Sequence, residues 1–361
     1  MGCPAFGEIT ILPVLGRHRP KTTGDKMKRS GNLFDKTFSY DNMYSAYISA
    51  RRGKRKKRAC FDFEVNVESN IKKIICEIYN KTYSPEKYFK FMVYEPKPRI
   101  IYAPAFKDVI IQHAIYNIIY PIFDKAFIST SFACRIGYGT HAASRYLQNS
   151  LRESNPNDYT LKLDIKKFFY SIDREILRRL IEKKIKDKKI VDIMMLFAKN
   201  DESIGIPIGN LLSQIYALIY LNPIDHFIKR ILCVKKYVRY VDDMVLIGLT
   251  FDQCFEYRKI ITDFICKNLN LSLSKSSIHK VSKGVNFVGY RTWRTKKFIR
   301  KYSLYKFFRK AKKENLQSIV SILGHAKQSD SLPYLLHWLK ANNPKMLNDL
   351  PLNYRRISLC R

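Results

Sequence analysis

Tyr240-Val241-Asp242-Asp243 places two adjacent carboxylates between apolar runs, Tyr237-Val238 before and Met244 to Ile247 after. The alternation predicts strand, tight turn, strand over Tyr237 to Gly248. Neighbouring acids beside buried strands are costly unless a cation sits on them. The plainer reading is a hairpin turn, where Asp is common, yet two-residue turns favour Gly or Asn and neither is present. A second acid, Asp164, closes the alternating run Tyr159 to Asp164, ahead of Ile165 and Phe168-Phe169-Tyr170. Alone it reads as an acid at a helix start. Converging with Asp242 and Asp243, it offers Mg²⁺ the hard oxygens it prefers. Two such ions about 4 Å apart can hold the attacking and leaving oxygens of a phosphoryl transfer. A third element, Gly205-Ile206-Pro207-Ile208-Gly209-Asn210-Leu211-Leu212-Ser213-Gln214, is a Gly/Pro loop entering a helix. Backbone can approach a ligand closely at glycine, although a capped helix start explains the loop as well.

The elements that must position these groups alternate in type. Leu33 to Ala50 and Asn70 to Tyr79 carry apolar residues at helical spacing. Glu95-Pro96-Lys97-Pro98-Arg99 forces an extended segment that Ile100 to Tyr102 continues as strand. Val109 to Tyr120 is helical, and Asp173 is placed to cap the helix after it. Leu211 to Arg230 reads as two helical pieces hinged at Asn222-Pro223, with Asn222 the cap. Phe251 to Asn268 is a further helix, Val285 to Trp293 a strand, and Lys301 onward helical and basic. Tyr305, Phe307 and Phe308 are expected in the core of that last part. Met1 to Lys26 shows no clear period and reads as a loose extension without a secretory leader. Strands alternating with helices mean α/β or α+β.

Composition narrows the class of partner. The 361 residues hold 66 Lys+Arg against 31 Asp+Glu, a formal charge of +35. Such an excess argues against a free-standing metabolic enzyme and for a polyanionic partner. At 46% apolar and 13% aromatic, the chain is no disordered polycation. No apolar run approaches the roughly 18–20 residues that span a bilayer, so no membrane role is expected. The eight cysteines form no CxxC pair, which fits a reducing cytosol. Arg51-Arg52-Gly53-Lys54-Arg55-Lys56-Lys57-Arg58 carries seven cations in eight residues, with no acid inside the run. It reads as a phosphate-contacting segment, with a localisation signal the other reading.

Asp164, the Gly209–Gln214 loop and Tyr240–Asp243, in this order, resemble the palm of a reverse transcriptase. Pro96-Lys97-Pro98-Arg99 and Phe132 to Gly137 are similar to two fingers motifs. Leu273-Ser274-Lys275 and Phe287-Val288-Gly289-Tyr290 are similar to the last palm motif and the primer grip. The resemblance implies an α+β right-hand polymerase: residues 27–60 an N-terminal helix and basic segment, 61–158 fingers, 159–293 palm, 294–361 a helical thumb. It implies two Mg²⁺ on Asp164, Asp242, Asp243 and the Ile165 carbonyl, with Mn²⁺ a substitute. Arg99, Arg135 and Lys275 would grip the triphosphate, and Gly209 and Gln214 would line the nucleotide site. Phe169 occupies the steric-gate position, although a core aromatic is the plainer reading. Lys296, Lys297 and Arg300 would lie along the duplex backbone.

The Ile208-Gly209-Asn210-x-x-Ser213-Gln214 form departs from the Gln-Gly and Ser-Pro of most reverse transcriptases. It resembles the enzymes of diversity-generating retroelements, as do Arg51 to Arg58, Gly139-Thr140-His141 and Gly324-His325. That subfamily implies a prokaryotic or phage setting and a cytoplasmic enzyme. It also implies error-prone copying of a template-repeat RNA at adenines, and a small basic accessory variability protein. Besides that RNA, the partners would be the cDNA or primer strand and dNTPs. Group II intron enzymes would be expected to carry a maturase region as well. A defence-type reverse transcriptase and a non-catalytic RNA-binding module are the alternatives. Ile208, apolar where accurate relatives hold a polar side chain, is expected to contribute to infidelity.

Overall fold

The computed structural model describes residues 29–94 and 97–354, so Met1 to Lys26 and Pro96 lie outside the described residues. The described residues open with the helices α1 (Phe34–Thr37), α2 (Tyr40–Ala50), α3 (Arg58–Val65) and α4 (Val67–Tyr79). The single helix expected over Leu33 to Ala50 is broken in two. Ser39 is the reason, since its side chain accepts from Asn42 N and restarts the helix as α2. Ile71, Ile74 and Ile78 of α4 are buried at the helical spacing seen in the sequence.

Strands β1 (Phe89–Val93) and β2 (Arg99–Ala103) form an antiparallel hairpin, with Phe89 opposite Ala103 and Val93 opposite Arg99. Helices α5 (Phe106–Asp124) and α6 (Thr140–Arg152) follow. The Asn42 amide of α2 donates to Ala114 O, fastening the first helices to α5.

The central part contains β3 (Tyr159–Ile165), α7 (Phe168–Ser171), α8 (Arg174–Glu182), α9 (Lys188–Ala198) and α10 (Leu211–His226). It continues through β4 (Lys236–Tyr240), β5 (Asp243–Leu249), α11 (Phe251–Leu269) and β6 (Leu273–Lys280). The four strands make one antiparallel sheet in the order β4-β5-β3-β6. The expected hinge at Asn222-Pro223 is absent. Pro223 lies inside α10, and Asn222 caps nothing, its Oδ1 being buried without a partner. The irregularity comes later, as a π-helical turn over Phe227–Ile231.

The strand expected over Val285 to Trp293 is a hairpin. β7 (Val285–Phe287) and β8 (Tyr290–Thr292) reverse at Val288 and Gly289, whose φ values are 41° and 89°. β9 (Lys297–Ile299) pairs with β8, so this small sheet extends past Trp293. Helices α12 (Lys301–Lys312), α13 (Leu316–Ala326), α14 (Ser331–Asn342) and α15 (Pro344–Asp349) follow. They share a core of Phe307, Ile319, Leu323, Leu335 and Leu339, which Tyr290 and Ile299 enter from the sheet. Phe307 is buried and Phe308 packs at its edge, but Tyr305 is 72% exposed, against the expectation that it joins the core. Among the described residues no helix is long and apolar enough to cross a membrane.

Candidate catalytic site

Register brings the acids together. Asp164 at the end of β3 stands directly opposite Asp243 at the start of β5, and opposite Lys275 on β6. Residues facing one another across an antiparallel pair share a face of the sheet, so Asp243, Asp164 and Lys275 do. Tyr240 pairs with Asp243, leaving Val241 and Asp242 as the two-residue turn. Val241 has φ 55°, a left-handed conformation that a β-branched residue adopts at a cost of about 1–3 kcal/mol. Its carbonyl accepts from the Arg239 guanidinium at 2.9 Å.

The electrostatics suit a cation. Burial pushes the Asp242 carboxyl up to about 6, and Asp164 and Asp243 push the same way against its own backbone N–H and Arg99. Asp243 is also raised, by burial first, with Lys162 opposing. Lys162 Nζ donates to Asp243 Oδ2 at 2.8 Å, while Asp243 Oδ1 is buried with no partner. The Ser274 hydroxyl donates to Asp164 Oδ2 at 2.5 Å. Among the described residues, no three His, Cys, Asp or Glu side chains form a ready-made cage. A Mg²⁺ held by one or two carboxylates, and finished by substrate oxygens and water, requires none. The unpartnered Oδ1 and the mutual repulsion of the acids therefore fit a divalent ion. Lys162 escaped the sequence reading although the signal was present, since it alternates two residues before Asp164 and so shares its face.

The Gly/Pro loop is stitched to its surroundings by backbone. Ile206 N donates to Phe169 O at 2.9 Å, and Ile208 O accepts from Tyr102 N of β2 at 2.7 Å. Gly209 has φ 117°, and a Cβ there would lie 2.8 Å from Ile101 Cγ2. Only glycine lets the loop approach β2 so closely. Gln112 of α5 accepts from Leu211 N at 3.0 Å, closing the start of α10 from a distance no local motif reveals. Half-buried Phe169 stands edge-on to Phe168, while Gln214 and Lys275 are exposed.

Two cation assignments need correction. Arg135 is not free to grip a triphosphate. Its Nε donates to Asp124 at 2.7 Å, its Nη1 to Ile128 O and Ser131 O, and its side chain is only 4% exposed. Lys297 does not face a duplex, being buried with its Nζ 5.3 Å from the centre of the Tyr290 ring. Arg99 and Lys296 are exposed, and Arg300 is half-buried. In the basic run, Arg51 and Arg55 pair with Glu64, and Arg58 with Asp62, acids that lie beyond the run in α3. Arg52, Lys56 and Lys57 are exposed and Lys54 is half-buried.

The Phe287–Tyr290 hairpin adjoins the acids, because Lys162 Nζ also donates to Asn286 O at 2.7 Å. Tyr290 stacks on His325, with ring centres 4.2 Å apart, and its hydroxyl donates to His325 O at 2.5 Å. The same hydroxyl lies 3.2 Å from His141 Nδ1. His141 and His325, noted separately in the sequence, thus meet on this hairpin. Burial holds both imidazoles below the ordinary histidine value, His325 being further lowered by His141, Arg300 and Lys297 and raised by a bond with Gly289 backbone.

The family described as reverse transcriptase (RNA-dependent DNA polymerase) matches residues 90–292, more than half of the chain. Group II intron-encoded protein LtrA of Lactococcus lactis subsp. cremoris is 29% identical over 202 residues, covering 53% of this chain and 33% of that protein. The chain therefore spans about a third of the length of that relative. Protein YkfC of Escherichia coli (strain K12) is 24% identical over 262 residues, 59% of this chain and 67% of that protein. A solved structure of telomerase from Candida albicans, in complex with a TWJ fragment of telomeric RNA, covers 76% of this chain and 64% of its own, at TM-score 0.44 and 13% identity.

Proposed function

The chain belongs to the reverse transcriptase family, and from that premise we propose that it is an RNA-directed DNA polymerase of the diversity-generating type. The observation that carries the polymerase reading is the meeting of Asp164, Asp242 and Asp243 at one sheet end, with a buried, unpartnered carboxylate oxygen. When bound, divalent ions would activate the primer 3′-hydroxyl and steady the pyrophosphate leaving group. Asp164, Asp242 and Asp243 would hold such ions, with the Ile165 carbonyl a further ligand. Lys162 orients Asp243 by its bond to Oδ2. Arg99 and Lys275 attract the triphosphate, and the Phe169 ring excludes a ribose 2′-hydroxyl. The Phe287–Tyr290 hairpin seats the primer end. Arg52, Lys56, Lys57, Lys296 and Arg300 meet template and product phosphates. In this reading residues 61–158 are fingers, 159–293 palm and 294–361 thumb.

The Ile208-Gly209-Asn210 loop and the Gly139-Thr140-His141 and Gly324-His325 motifs support the diversity-generating subtype, with template-repeat RNA and a basic accessory protein as partners. The intron-encoded relative keeps an intron-type enzyme as the second reading.

The deciding experiment is extension of a DNA primer on an RNA template, with the cDNA sequenced. Errors concentrated opposite adenine support the subtype, and Ile208→Gln is expected to reduce them severalfold at similar speed. Faithful copying of adenine by the wild-type chain would favour the intron-type reading.

A further inference from the structure

The β4–β5 turn is braced from behind by a buried ion pair. On β4, Tyr237 and Arg239 face away from Tyr240, toward α10. There the Asp225 carboxylate takes three bonds, from Arg239 Nε at 2.7 Å, Arg239 Nη2 at 2.5 Å and the Tyr237 hydroxyl at 2.8 Å. Both charged side chains are fully buried. The guanidinium has one further nitrogen, Nη1, and it donates to the Val241 carbonyl. The backbone of Arg239 is itself pinned, its N–H donating to Thr130 O and its carbonyl accepting from Phe132 N, each at 3.0 Å.

Burying an ion pair adds little stability over well-packed apolar side chains of similar size. What the pair supplies, and a leucine and methionine would not, is a rigid donor aimed at one carbonyl. That carbonyl belongs to the residue held in the left-handed conformation, immediately before Asp242 and Asp243. Without such a hold, a valine relaxes toward negative φ and carries the next peptide with it.

We propose that Asp225 and Arg239 are positioning residues, holding the strained Val241 peptide so that the Asp242 and Asp243 carboxylates stay in register with Asp164. This inference rests on the polymerase reading. The two residues touch no substrate and act only through the turn.

Arg239→Lys keeps the charge opposite Asp225 but cannot make the planar fork and reach Val241 O together. The expected result is a folded protein whose kcat falls about ten- to a hundredfold, with KM for dNTP changed less than about twofold. Hydrogen exchange should quicken in the peptide spanning residues 238–246 and stay unchanged in α4 and α14. Glycine adopts positive φ freely, so adding Val241→Gly should recover part of that loss, whereas the two changes would multiply if independent. Should Arg239→Lys destabilise the fold, the packed pair Asp225→Leu with Arg239→Met removes the buried charge and should show the same kcat loss. Wild-type kcat for the lysine variant or for a folded apolar pair would overturn the proposal, as would independence of the two substitutions. Hydrogen exchange reports on the turn even if the wild-type chain incorporates no nucleotide, a result that would instead sink the polymerase reading.

Discussion

Two turns in this molecule begin with a valine at positive φ, Val241 at 55° and Val288 at 41°, and they are handled differently. After Val288 comes Gly289, which takes φ 89° without a Cβ penalty. After Val241 comes Asp242, whose carboxylate the proposed chemistry uses. The Val288 turn thus places glycine at a second position of positive φ, while the Val241 turn needs a positive φ only at its valine. The supports differ accordingly. The Val241 turn has a charged brace of Arg239 and Asp225, fully buried behind it. The Val288 turn leans on an uncharged stack of the buried Tyr290 ring on half-buried His325, with His141 within reach of the tyrosine hydroxyl. The turn proposed to carry the catalytic acids is braced by buried charge from α10 and by backbone bonds to Thr130 and Phe132. The Val288 turn, proposed to seat the primer end, is held by a helix of the C-terminal part through His325.

The largest change that would break this contrast is Gly289→Ala. Its Cβ would come within 2.6 Å of His325 Nε2 at a φ unsuited to alanine. Expected is a loss of about 2 kcal/mol in denaturant unfolding, with weaker primer use and no change in adenine errors. An unaltered midpoint would mean that the hairpin does not depend on His325. A smaller effect is expected for His325→Gln, about 1 kcal/mol from the lost stack. The imidazole is held below the ordinary value of about 6.5, so below that pH the unfolded chain takes up the proton first. Stability should therefore fall as pH drops from about 6.5 toward the lower folded value. The slope of melting temperature against pH in that window should flatten in the variant, while carboxylate contributions cancel in the comparison.

The acids were legible because β3 and the β4–β5 hairpin alternate cleanly, and strand register does the rest. The loop was legible because glycine and proline punctuate it. The β7–β8 hairpin was not, since Phe287-Val288 and Tyr290 continue an apolar run through a turn that only Gly289 betrays. The fingers motif Phe132 to Gly137 implies a triphosphate contact for Arg135, but Asp124 eleven residues earlier, with the carbonyls of Ile128 and Ser131, claims its guanidinium. Lys297 was counted as a surface cation, yet strand alternation on β9 turns it inward with Ile299. The Asp225–Arg239 pair could not be read from spacing, because its meaning depends on α10 lying behind β4. The meeting of His141 with His325 is likewise a product of tertiary packing.

The central claim is that Asp242 and Asp243, with Asp164, carry nucleotide transfer on an RNA template. The most direct measurement is single-nucleotide incorporation on an RNA–DNA primer–template with Mg²⁺, for the wild-type chain and for Asp242→Ala with Asp243→Ala. The account predicts incorporation by the wild type and a fall to background, at least about 10³-fold, in a variant that remains folded and still binds the template. Incorporation by the double variant at a rate near wild type would contradict it.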